Sequence, residues 1–169
     1  MALAQTLTIA AAGIGLLTAA TFLLPRDVVV ERTAVVQAAP ADIIARASSN
    51  TGYQSFNPYA SADPDLKITH FGPERGVGSG FHFEGKDGKG QQTVSTITDT
   101  SVTYAIDLGA MGQPTQTLTV LPVANGTKVT WTMQADMGLN PIKRTFGLFM
   151  DKMIGKTLEQ GLSNLNTAT

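Results

Sequence analysis

The sequence predicts an α+β domain in which a curved antiparallel sheet of about seven strands packs on one long C-terminal helix. Segments with strand-like alternation follow one another along the chain, and a single amphipathic helical segment closes it. The third observation is that no charged residue occurs between Ala2 and Leu24, which predicts a transmembrane helix before this domain. At about 1.5 Å per residue this helix would be about 34 Å long, enough to cross a hydrocarbon core of about 30 Å.

The apolar N-terminus divides the chain into an anchor, residues 1–26, and one domain, residues 27–169. A cleaved signal peptide is the alternative, but no Lys or Arg precedes the apolar run and the A-x-A cleavage pattern is poor. Ala11, Gly15 and Ala19 fall on one helix face. Small residues at this spacing let another membrane helix pack closely, although an Ala-rich segment also shows such spacings by chance.

Charge and cysteine content leave the side of the membrane open. Arg26 and Arg32 follow the span, which favours a cytoplasmic domain, whereas an N-terminal signal-anchor would export the domain. The chain has no Cys, which fits either compartment. The net charge is −1 and the basic residues form no stripe, so we expect no nucleic-acid partner.

Period-2 alternation predicts the strands of the domain. A short helical turn is expected to open at Pro40, after the first strand. The strands are predicted over residues 28–38, 66–71, 80–84, 91–98, 102–107, 115–121 and 128–135. The segment 91–98 is the least regular, and Asn125-Gly126 marks a tight hairpin before the last strand.

A long C-terminal helix is predicted to begin at Asn140-Pro141, a side-chain cap followed by a preset φ. Its apolar residues recur at helical spacing as a wide stripe: Phe146, Phe149, Met150, Met153, Leu158, Leu162 and Leu165. Gly147, Gly155 and Gly161 each cost about 1 kcal/mol against Ala in a helix interior. Three such residues indicate that another group approaches the helix backbone closely, or that room is left beside it.

Several segments carry a resemblance to a known group of proteins: Val30-Glu31-Arg32, Ala39-Pro40, Gly72-Pro73, Gly76-Val77-Gly78, Gly126 to Trp131, Asp136-Met137-Gly138 with Asn140-Pro141, and Phe146 to Met153. In this order they resemble the SRPBCC superfamily (START and Bet v 1-like, helix-grip), and within it the bacterial polyketide cyclase/dehydrase-like proteins. The resemblance implies the helix-grip fold and a single-pass protein of the bacterial inner membrane. It implies no catalytic set, because the superfamily includes lipid carriers, hormone receptors, cyclases and oxygenase subunits.

The sequence offers little catalytic or metal-binding chemistry. There is no Cys nucleophile and no G-x-S-x-G elbow. His70 and His82 lack the spacing of a metal site. His82 and Glu84 share one strand face, as a solvent-facing pair or as an acid–base pair in a cavity. We therefore assign no catalytic residue, and we expect no metal and no cofactor.

A set of apolar side chains gives the best candidate for a ligand pocket: Phe81, Phe83, Tyr104, Trp131, Met133, Phe149, Met150 and Met153. Simple core packing is the alternative for each of them. The sequence therefore predicts a membrane-anchored domain that binds an apolar molecule, a lipid or a quinone-like compound, from the adjacent bilayer. An accessory subunit held in a larger membrane protein complex by the anchor helix is the first alternative. A cyclase- or hydrolase-type enzyme is the second.

Overall fold

The computed structural model of the protein describes residues 21–168. Ala11, Gly15 and Ala19, with nearly all of the predicted anchor, lie outside the described residues. Within residues 21–168, no helix is both long enough and apolar enough to span a bilayer. The predicted anchor helix therefore stays a prediction.

Seven strands and four α-helices make up the domain. The strands are β1 (Asp27–Val36), β2 (Lys67–Phe71), β3 (Gly80–Gly85), β4 (Gly88–Thr98), β5 (Ser101–Asp107), β6 (Thr115–Val123) and β7 (Gly126–Asp136). The helices are α1 (Pro40–Ala47), α2 (Asn50–Gln54), α3 (Pro58–Ala62) and α4 (Pro141–Ala168), with a 3₁₀ turn at Gly109–Met111.

All seven strands form one antiparallel sheet in the order β1-β7-β6-β5-β4-β3-β2. Strands β2 to β7 follow one another as a meander, whereas β1 pairs with β7 at the far edge. The chain between β1 and β2 must therefore pass from one edge of the sheet to the other, and α1, α2 and α3 lie on this path. The predicted α+β class, with a seven-stranded antiparallel sheet and a closing helix, is confirmed.

The strand bounds differ from the prediction by one to three residues, and two of the differences have clear local reasons. Strand β1 ends earlier, at Val36, because the Thr127 hydroxyl donates a hydrogen bond to the Ala38 carbonyl oxygen over 2.6 Å as the chain turns towards α1. Strand β4 begins earlier, at Gly88, because the hairpin pairs Gly85 with Gly88 directly at the turn. Glycine-rich strand ends carry little alternation, so the sequence pattern did not reveal this pairing.

Helix α4 begins where the sequence predicted. The Asn140 side-chain oxygen accepts hydrogen bonds from the backbone N–H groups of Ile142 and Lys143 over 2.9 and 3.3 Å. Pro141 occupies the first helical position, where no N–H partner is needed. This cap fixes the start of a helix that runs for 28 residues.

The three helix glycines mark close contacts between α4 and the sheet, which is the first of the two predicted alternatives. A methyl group added at Gly161 would overlap the ring of Trp131, and one at Gly155 would overlap the Arg32 guanidinium. At Gly147 it would lie 2.9 Å from a Val28 methyl carbon. The glycines therefore let the helix backbone approach large side chains that rise from the inner face of the sheet, the face that the helices cover.

The apolar stripe predicted for α4 divides into two faces. Met150, Leu158, Leu162 and Leu165 are buried, whereas Phe146, Phe149 and Met153 are at least half exposed. The prediction of one wide stripe was wrong because the face against the sheet is completed by glycines and by Arg144, not by the phenylalanines. The outward apolar residues belong to the first half of the helix alone.

Candidate functional site

An aromatic cluster fills the centre of the inner face. Tyr53, from the short helix α2, lies against four other rings, with centroid distances of 4.9 Å to Phe56, 5.4 Å to Phe81, 5.3 Å to Tyr104 and 6.2 Å to Trp131. Most of these contacts are tilted or edge-on, the arrangements that aromatic quadrupoles favour. Helix α2 therefore inserts a ring into the centre of the inner face.

The polar atoms of this cluster have partners inside the protein. The Trp131 indole N–H donates to the Gln116 side-chain oxygen over 3.0 Å, and the Tyr104 hydroxyl donates to the Ala47 carbonyl oxygen over 2.8 Å. Burial raises the pKa of Tyr53 and of Tyr104, so both phenols stay neutral. A satisfied, neutral cluster of this kind is a rigid core rather than a reactive centre.

The enclosed space beside the cluster is small. A cavity of about 10 Å³ lies next to Tyr53, Phe81 and Gln92, which is room for about one water molecule. Of the described residues that line it, none is His, Asp or Glu. A drug-sized ligand needs roughly 300 Å³ or more, so this cavity has no room for one.

The eight pocket candidates are distributed over three environments. Those that are buried in the core are Phe81, Tyr104, Trp131, Met133 and Met150. Phe83 is half-buried against the same core. Phe149 and Met153 are 57% and 53% exposed and point away from it. The structure therefore brings six of the candidates together, and it places Phe149 and Met153 on another surface.

A group of methionines lies under the first half of α4, and one of them, Met137, was not among the residues predicted to line a pocket. Met133, Met137 and Met150 all belong to the buried core, and Met137 packs on Gly147 at a distance of 3.4 Å from a methyl group built there. Met137 continues the period-2 alternation of β7, two residues after Ala135. Extending that alternation past the predicted strand would have identified Met137 as a buried residue. Flexible thioether side chains make this the most adaptable part of the core.

Helix α4 is attached to β1 from its middle onwards. The Arg32 guanidinium, on β1, bonds the Glu159 carboxylate over 2.7 Å and the Asp151 carboxylate over 2.9 Å. The hydrogen bond from Arg32 holds the pKa of Asp151 below its usual value. Leu158 and Leu165 are fully buried nearby. These contacts attach the helix to the edge strand from its middle to its end.

The outer side of the β2–β5 region contains an open polar groove of about 590 Å³. His82 and Glu84 lie in it, exposed to solvent, and the His82 ring stacks on Phe71 with a centroid distance of 4.7 Å. This placement fits the solvent-facing interpretation of the pair. Among residues 21–168, no group of three or more His, Asp or Glu residues lies close enough together to hold a metal ion.

Solved structures with low sequence identity share the fold of this chain. The di-domain ARO/CYC StfQ from the steffimycin biosynthetic pathway matches with a TM-score of 0.58 and 12% identity, over 83% of this chain and 50% of that chain, so this chain spans half of its length. The KanY protein matches with a TM-score of 0.63 and 18% identity, over 83% and 96% of the two chains. Ara h 8.0201 matches with a TM-score of 0.59 and 11% identity, over 83% and 99%.

At 11–18% identity, these matches show that the fold is shared, and they say nothing about activity. No curated protein matches the sequence. A family profile described as "Polyketide cyclase / dehydrase and lipid transport" matches residues 27–169. The chain therefore belongs to this polyketide cyclase/dehydrase and lipid transport family, within the SRPBCC superfamily of helix-grip proteins.

Proposed function

We propose that the protein is a membrane-tethered helix-grip domain that binds an apolar small molecule, a lipid or a quinone-like compound, between the first half of α4 and the sheet. The observation that carries the proposal is the uneven packing of α4. Three residues are buried among residues 141–154, namely Arg144, Gly147 and Met150, whereas five residues are buried among residues 155–168. The less embedded half lies over the methionine group.

Binding at this place requires the core to open. The enclosed cavity of about 10 Å³ cannot hold a lipid chain, so the ligand must displace protein atoms. Met133 and Met150 are suited to this because unbranched thioethers change rotamer at low cost. The first turns of α4 would move while the ion pairs of Arg32 with Asp151 and Glu159 hold the helix from Asp151 onwards.

The tether in this proposal is the uncharged segment Ala2 to Leu24. Its length matches one crossing of a bilayer, and it would make the protein a single-pass protein of the bacterial inner membrane. An apolar ligand could then reach the domain without crossing water. The family description, which includes lipid transport, supports this choice of ligand class.

The sole tryptophan of the chain allows a direct test, because Trp131 is fully buried in the core. Dibromostearate would be titrated into the full chain in mild detergent while the Trp131 emission is recorded. We expect saturable quenching, since the bromine atoms must enter the domain to reach the indole. Emission that stays constant up to the solubility limit of dibromostearate would refute the binding proposal.

Two methionines of α4 provide matched variants. Met150 is 5% exposed and Met153 is 53% exposed, although they lie one turn apart. Met150→Gln should weaken quenching by about tenfold in dibromostearate concentration, because a polar amide replaces the thioether at the site. Met153→Gln should leave the titration unchanged, with circular dichroism confirming that both variants are folded.

The filled core favours a second candidate function, that of an accessory subunit in a larger membrane protein complex. A packed inner face with a cavity of about 10 Å³ suits a domain that acts through its surface. The predicted small-residue face of the anchor, Ala11, Gly15 and Ala19, would then contact a partner helix. In that case dibromostearate leaves the Trp131 emission unchanged, and the full chain is purified with partner subunits.

A further inference from the structure

The first half of α4 exposes four large apolar side chains in a row. Ile142, Phe146, Phe149 and Met153, which we call the outer stripe, are each at least half exposed. They recur at i, i+4, i+7 and i+11, so they form one continuous line on the helix. Exposed apolar surface arranged in this way is characteristic of a contact with another protein or with a membrane.

The outer stripe is separate from the ligand site proposed above. At about 100° per residue, its centre lies roughly 130° around the helix from the buried face that carries Arg144, Gly147 and Met150. The two faces therefore cannot be covered by the same ligand. The outer stripe needs an occupant of its own.

The described chain begins near the N-terminal end of α4, where the outer stripe also starts with Ile142. The Arg144 guanidinium donates hydrogen bonds to the carbonyl oxygens of Phe22 and Leu24 over 2.8 and 3.2 Å, and to that of Gly138 over 2.8 Å. It also lies 5.7 Å from the centroid of the Phe22 ring. Arg144 thereby attaches the end of the uncharged N-terminal segment to the first turn of α4.

A second contact strengthens this attachment. Arg26 and Asp136 form an ion pair at 2.6 Å just before α4.

The residues near the attachment and beside the outer stripe suit a lipid surface. Leu23, next to the attached Phe22 and Leu24, is 88% exposed. Lys152 and Lys156 are exposed on the helix face next to the outer stripe. Apolar side chains flanked by lysines are typical of helices that lie in the interface of an anionic bilayer.

We infer that the outer stripe lies in the lipid–water interface of the membrane, with the first half of α4 resting on the bilayer surface. The inference rests on the proposed tether. In that proposal residues 2–21, which as a helix would be about 30 Å long, are needed to cross the hydrocarbon core, so they are not available to cover the stripe. A chain that leaves the bilayer before Phe22 and is attached by Arg144 holds the N-terminal end of α4, where the outer stripe starts, close to the membrane surface.

Single-cysteine labelling can locate the stripe, because the chain contains no Cys. The full chain would carry Phe149→Cys or Met153→Cys, labelled with the fluorophore NBD, in vesicles of phosphatidylcholine and phosphatidylglycerol. Leu121→Cys is the matched control, since Leu121 and Phe149 are both 57% exposed and Leu121 lies on β6. Nitroxide-labelled lipid in the same vesicles reports whether the fluorophore touches the bilayer.

We expect NBD at positions 149 and 153 to emit at shorter wavelength and to lose at least about twofold more intensity to nitroxide lipid than NBD at position 121. Equal, water-like emission at all three positions would overturn the inference. Short-wavelength emission without nitroxide quenching would also overturn it, and would assign the stripe to a second copy, a partner protein or residues 2–20.

An alkaline carbonate wash of the same vesicles separates this inference from the tether. A chain that stays with the vesicles but shows no quenching keeps the tether and loses the bilayer contact of the stripe. Quenching before the wash, followed by release of the chain, refutes the tether alone and supports a peripheral contact through the stripe. A chain that is neither retained nor quenched contradicts both.

Discussion

Replacement of Gly161 by Ala tests the close packing of α4 on the sheet. An Ala at this helix position should stabilise the protein by about 1 kcal/mol through helix propensity. The structure predicts that Gly161→Ala destabilises the protein instead, because the added methyl group would overlap the benzene ring of Trp131. That ring cannot easily move, since its indole N–H is bonded to Gln116 and the side chain is fully buried.

The expected magnitude follows from these two opposing effects. Overpacking of a rigid core costs about 1–3 kcal/mol, and the backbone of α4 is further restrained near this position by Leu158 and Leu162. With a strain of about 3 kcal/mol and a propensity gain of about 1 kcal/mol, Gly161→Ala should lower the free energy of unfolding by about 2 kcal/mol.

A double-mutant cycle with Trp131→Leu isolates the contact. The leucine variant lacks the benzene ring, so Gly161→Ala should stabilise that background by about 1 kcal/mol, which gives a coupling energy of about 3 kcal/mol. Urea unfolding of the full chain in mild detergent, followed by circular dichroism, measures all four free energies. A stabilising effect of Gly161→Ala in the wild-type background would refute the reasoning.

Three further substitutions address the attachment of the helices. Arg32→Ala should lower the urea midpoint at neutral pH. Arg32 depresses the pKa of Asp151, so the wild type should lose stability as the pH falls below that carboxyl's ordinary pKa of 3.8, and the variant should lose less stability over the same pH range. Arg144→Ala should speed amide hydrogen exchange around Phe22, measured by mass spectrometry, because it removes the side-chain donor to that segment; unchanged exchange would count against the attachment. Tyr104→Phe should cost about 1–2 kcal/mol in urea unfolding, because it leaves the last carbonyl oxygen of α1 unpaired; a neutral result would mean that water replaces the hydroxyl.

Local signals were sufficient for most of the fold. The alternation through Val129, Trp131 and Met133 identified β7 because one face of an antiparallel sheet is buried. Asn140 and Pro141 identified the start of α4 because capping depends on neighbouring residues alone. The helix glycines indicated close approach, although the sequence could not say which side chains would meet them.

The state of the candidate site depended on contacts that are distant in the sequence. The ring of Tyr53 reaches rings from β3, β5 and β7, and no local pattern encodes that meeting. The same holds for the division of the α4 stripe, because Phe149 is turned outward by the docking of Arg144 and the glycines on the sheet. The sequence could therefore nominate apolar residues, but it could not separate those that fill the core from those that face outward.

Purification of the full chain from its own membrane in mild detergent, with mass spectrometry of the proteins and small molecules that accompany it, tests the proposed function most directly. We predict a chain free of stoichiometric partners that carries a lipid or a quinone-like compound, and a Met150→Ala variant that loses this cargo. A stoichiometric set of membrane proteins with no bound small molecule would contradict it and would identify the domain as an accessory subunit.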